Sequence, residues 1–127
     1  MTATIHICTS CKDRDPMRRA AGEGGGPALT ATMQAWAAGE PAARVRVLPA
    51  VCLGPCGAGG RVSLSAPDRW SWVFEGVAQA ADVAALQRFV LLWLNEPEGL
   101  VLKAKRPSAL APLLIGRIPP TPKEATA

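Results

Sequence analysis

The chain has 127 residues, 49% of them hydrophobic and 19% charged, with a formal net charge of +4 and a pI near 9.2. That length and balance give one globular domain with its own core and exclude a disordered chain. The basic residues are scattered, and the four Trp and two Phe fall at core-like positions, which argues against a nucleic-acid partner.

The longest apolar run, residues 89–94, is far below a membrane span, and residues 2–8 are too short and polar for a signal-peptide core. No membrane partner is therefore expected, and the expected compartment is the cytoplasm. There thiols stay reduced, so clustered cysteines suggest metal or redox work rather than structural disulfides.

Residues 3–7 alternate, with Ile5 and Ile7 on one side and Thr4 and His6 on the other, predicting a short strand that ends at Cys8. A polar, then glycine-rich loop follows over residues 12–26, and its Lys12, Arg14, Arg18 and Arg19 suit an acidic redox partner or simply a solvated surface. Residues 27–38 read as a helix, with Pro27 at a first helical position, Gly39 just past the end, and Leu29, Met33, Trp36 and Ala37 on one apolar face. Residues 44–48 alternate again, Val45 and Val47 inward. Strand, helix and strand make a βαβ unit, whose parallel strands end at the same edge of the sheet.

Residues 61–65 and 70–75 read as two more strands joined by the turn 66–69, with Trp70, Trp72 and Phe74 on one face. Residues 80–95 form the second long helix, with Asp82 in the first turn, Pro97 beyond the end, and a stripe of Val83, Leu86, Phe89, Val90, Trp93 and Leu94. The order is β-α-β-β-β-α, an α/β fold. From residue 98 onward Pro107, Pro112, Pro119, Pro120 and Pro122 exclude a long helix, and the apolar Leu113, Leu114 and Ile115 need cover.

The chemistry of the chain lies in its four cysteines: Cys8 and Cys11, then Cys52 and Cys56 after a gap of 40 residues. Each pair follows a predicted strand, and the two strands share an edge, so four thiolates can converge on one metal centre. His6 is the only histidine, which excludes a Rieske centre and a two-cysteine, two-histidine zinc site. Three readings stay open: an iron–sulfur cluster on four thiolates, a four-cysteine zinc-binding structural or interaction module, and a thiol–disulfide oxidoreductase using Cys8 and Cys11. All-thiolate zinc sites usually use two tight Cys-x2-Cys knuckles in domains that lack a core, unlike this chain. For the dithiol, Pro16 bars a long helix from starting at Cys11, and Cys52 and Cys56 are left unexplained. For the cluster, Gly54, Gly57, Gly59 and Gly60 let backbone pass close to inorganic sulfide and offer N–H donors to it. Nothing outside the cysteines forms an acid/base or nucleophile constellation, so the expectation is a carrier and not an enzyme.

Three stretches carry a resemblance: Cys8-Thr9-Ser10-Cys11-Lys12, Val51-Cys52-Leu53-Gly54-Pro55-Cys56-Gly57, and the tail from Arg106, Pro107 and Leu110 to Arg117-Ile118-Pro119-Pro120. The chain resembles the DUF1636 family of predicted metal-binding proteins and, more broadly, the thioredoxin-like [2Fe-2S] ferredoxins, which space their first cysteine pair more widely. The resemblance implies a thioredoxin-like α/β domain over residues 1–98, with a mixed sheet and helices packed on it. Residues 99–127 would be a proline-rich tail lying on that domain or on a second subunit. It implies that Cys8, Cys11, Cys52 and Cys56 hold a [2Fe-2S] cluster serving electron transfer, in a family whose genes often accompany cobalamin biosynthesis. Four thiolates on such a cluster would lower the net charge to nearer +2. The implied partner is a redox protein, and thioredoxin-like ferredoxins commonly form homodimers, which an apolar tail would suit.

Overall fold

Strict alternation in the first strand buries Ala3, Ile5 and Ile7 completely while Thr4 and His6 stay half-buried on the other face. The computed structural model describes residues 2–9, 26–39, 44–50 and 60–121. Their elements in chain order are β1 (Ala3–Cys8), α1 (Gly26–Gly39), β2 (Val45–Ala50), β3 (Val62–Ser65), β4 (Ser71–Phe74), α2 (Ala80–Asn95) and β5 (Leu114–Ile118). Two 3-10 turns, Lys103–Lys105 and Ser108–Leu113, lie between α2 and β5. The five strands form one mixed sheet in the order β2-β1-β3-β4-β5, with β1 parallel to β2 and the other neighbours antiparallel. This is the expected α/β class, and the arrangement is consistent with a thioredoxin-like one.

Pairing register explains why one face of the sheet is dry. Ile5 stands beside Val47 on one side and Leu64 on the other, and Leu64 stands beside Trp72. All four are buried. Both helices cover this face. α1 contributes Leu29, Met33 and Ala37; α2 contributes Ala85, Leu86, Phe89, Val90 and Trp93. The Gln87 amide, 4.0 Å from Met33 Sδ, joins the two helices. Trp36, expected on the buried face of α1, is half-buried against the core. α2 covers the residues expected of it, 80–95. Asp82 Oδ2 accepts from the Gln79 N–H at 3.1 Å, satisfying a donor that helix geometry leaves orphaned. At the other end Arg69 donates to the carbonyls of Trp93 and Glu96, at 2.8 and 2.5 Å.

The fifth strand was not expected. Residues 114–118 pair antiparallel with β4, with an irregularity between Val73 and Phe74 that leaves Ile115 without a facing residue. Val101 and Leu110 enter the core, while Leu113 and Leu114 pack against it. Arg106 and Arg117 hold this part of the chain by their guanidiniums. Arg106 lies 5.0 Å from the Trp72 ring centre, and Arg117 lies 5.3 Å from that of Trp70 and 5.9 Å from that of Trp72. Each such contact contributes about 0.5–1 kcal/mol when exposed and more when dry. Burial, with Arg117 nearby, holds the Arg106 guanidinium below its ordinary pKa. The indole N–H of Trp72 donates to Gly99 O at 2.8 Å and that of Trp93 to Trp70 O at 2.9 Å, so neither buried ring leaves its donor unpaired.

The outer edge at β2 is dressed differently. The Gln34 amide of α1 reaches over and donates to Val47 O at 3.1 Å, and Pro49 contributes no N–H there.

Candidate metal centre

Cys8 is the last residue of β1 and is fully buried. Alternation puts its side chain on the face of His6, opposite the helices. Three neighbours fix its backbone. Across the parallel pair, Cys8 stands opposite Ala50, and the ladder runs one step further: Thr9 N–H and Thr9 Oγ1 both donate to Ala50 O, at 2.9 and 3.1 Å. Across the antiparallel pair, the Cys8 N–H donates to Arg61 O at 3.0 Å. From above, Gly26 at the start of α1 sits so close that a Cβ there would overlap the Cys8 carbonyl oxygen and come within 2.8 Å of Thr9 Cα. Thr30 Oγ1 donates to Gly26 O at 2.7 Å and holds that first turn in place.

These contacts bring four chain ends to one cysteine. The segment carrying Cys11 leaves from Thr9 and returns at Gly26. The segment carrying Cys52 and Cys56 leaves from Ala50 and returns at Gly60, just before Arg61. Thr9, Gly26, Ala50 and Arg61 all touch or flank the end of β1. Cys11, Cys52 and Cys56 themselves lie outside the described residues. Among the described residues no three of His, Cys, Asp and Glu come together as a metal site.

Gly60 has a reason of its own to be glycine. Its φ is +52°, and a Cβ would collide with the backbone of Val77, whose N–H donates to Gly60 O at 3.3 Å. Close packing against Val77 accounts for this glycine without inorganic sulfide. Gly54, Gly57 and Gly59 lie outside the described residues.

Sequence reasoning missed the ion pair beside the cysteine. Arg61 Nη2 and Glu75 Oε2 are 2.7 Å apart, with the Arg61 side chain only 12% exposed. Alternation alone signals that Arg61 and Glu75 share the open face, because Val62, Leu64, Trp72 and Phe74 occupy the other. That they face each other depends on the β3–β4 register, in which Val62 stands opposite Phe74. His6 lies half-buried on the same face of β1.

A model of the family described as "Protein of unknown function (DUF1636)" matches residues 5–120. Neither a curated protein nor a solved structure matches the chain.

Proposed function

We propose that this chain, which belongs to the DUF1636 family, is an electron carrier whose Cys8, Cys11, Cys52 and Cys56 hold one [2Fe-2S] cluster. The observation that supports this most is that the described residues flanking both cysteine-bearing segments meet at the end of β1. The donor set fits the group: four thiols, a single histidine, and a buried Cys8 whose backbone is fixed from three sides. Thiolates are the usual ligands of such clusters, and burial next to rigid strands limits solvent access to the metal. When bound, the cluster supplies reversible one-electron transfer without acid/base groups, in keeping with a carrier rather than an enzyme. The redox partner and a service to cobalamin biosynthesis belong to the same proposal and follow from the resemblance, and the cytoplasmic setting follows from the sequence reading, none of them from geometry.

Iron and acid-labile sulfide analysis of anaerobically purified protein tests the reading. Two of each per chain, a red-brown colour, and loss of both in Cys52→Ser with the far-ultraviolet circular dichroism retained are the expected results. A colourless protein with one zinc per chain would replace the cluster by a structural zinc. Metal-free protein with a Cys8–Cys11 disulfide would replace it by dithiol chemistry.

A further inference from the structure

Pairing registers align three side chains in one row across the sheet. Ile7 stands opposite Val62 and Val62 opposite Phe74, so one step further Cys8, Arg61 and Glu75 follow one another at the end of β1, just before β3 and just after β4. The Cys8 N–H on Arg61 O, at 3.0 Å, and the Arg61–Glu75 ion pair, at 2.7 Å, join the row from strand to strand. All three side chains lie on the face away from the helices, since Ile7, Val62 and Phe74 occupy the covered one. Adjacent strands are about 4.8 Å apart, which sets Arg61 one spacing from the strand of Cys8 and Glu75 two, about 10 Å.

We infer that Arg61, oriented by Glu75, raises the reduction potential of the metal centre at Cys8, an inference that rests on the cluster reading above. The ion pair is neutral as a whole, but the strand order puts its positive member nearer to Cys8 than its negative one. Reduction adds one electron from a one-electron donor, dithionite in the test below, and takes a four-thiolate [2Fe-2S] centre from about −2 to about −3 with no bond made or broken. Arg61 stabilises the more negative state and Glu75 opposes it. Coulomb energy falls with distance, so the nearer cation outweighs the farther anion. Solvent widens the difference: the Glu75 side chain is 34% exposed against 12% for Arg61, and its field is the more screened. Arg61 thus acts through its charge rather than by touching the metal, and Glu75 is the residue that positions it.

A merely structural role, fastening β3 to β4, makes a different forecast. It would lower the melting temperature in either single variant and leave the potential alone. The discriminating experiment is a dithionite potentiometric titration of the iron-loaded protein at low ionic strength, read from its visible spectrum. Arg61→Gln is expected to shift the midpoint to more negative values, Glu75→Gln to more positive ones, and Arg61→Lys to remain close to the native value. Added salt shrinks both shifts. With an intact visible spectrum, midpoints that stay put or move in the same direction in both Gln variants overturn this inference and leave the cluster reading standing. Purified protein lacking iron and sulfide overturns the cluster reading and this inference with it.

Discussion

At the β4–β5 end of the sheet, order comes from large side chains. Trp72 meets Phe89 edge-on with ring centres 5.0 Å apart, Phe74 meets the same ring at 5.1 Å, and Arg106 and Arg117 lie over the indoles. At the β1–β2 end, order comes from backbone: hydrogen bonds from Cys8 and Thr9, and a glycine contact at the start of α1. The two ends divide the labour of the domain. Among the described residues, aromatic packing at one end supplies a core built without any cysteine but Cys8, which on the proposed reading leaves the other end to present thiols. A small domain stapled by its metal would show the reverse, with few buried aromatics and folding lost on chelation.

The comparison is broken most severely at its aromatic end. Trp72→Ala removes the ring that Phe89, Arg106 and Arg117 all contact and leaves Gly99 O without its donor. A loss of about 3–5 kcal/mol is expected in urea unfolding of the apo-protein. A loss below about 1 kcal/mol would mean that the metal end carries the fold after all.

Gly26→Ala sharpens the contrast from the other side. Its methyl would displace the Cys8 backbone, so about 1–3 kcal/mol of stability should go, in the range of overpacked sites. Metal content per folded chain should fall with it, whereas Trp72→Ala should leave metal content per folded chain unchanged. Metal analysis on the folded fraction from gel filtration separates the two variants. The smallest effect belongs to Lys105, whose ion pair with Glu96 spans 3.1 Å but whose side chain is 56% exposed. Lys105→Ala should change the unfolding free energy by under about 0.5 kcal/mol, a shift that 0.5 M salt would hide.

How much of this was legible in the sequence varies along the chain. Strong periodicity marked both helices and the first four strands, and the alternation of Ile5 and Ile7 correctly delivered Cys8 to the end of a strand. β5 escaped because Leu114–Ile118 is short, carries Gly116, and pairs through an irregular register. Prolines on both sides disguised it further. The Arg61–Glu75 pair escaped for a different reason. Its partners are 14 residues apart, and only the hairpin register makes them neighbours. The tail arginines Arg106 and Arg117 belong to the stretch that carries the family resemblance, and their contact with Trp70 and Trp72 gives that stretch a structural role. For the candidate centre, the structure bears on Cys8 and on the ends of the two cysteine segments, while Cys11, Cys52 and Cys56 lie outside the described residues.

Gln34 has a consequence for the protein in a crowded cell. A newly made chain could pair with its neighbours through any bare strand edge, and polymerise. On β2 an incoming strand would meet a carbonyl, Val47 O, already bonded to Gln34 of α1, and two residues on a proline with no hydrogen to offer. The side of the sheet closest to Cys8 therefore resists adding another strand.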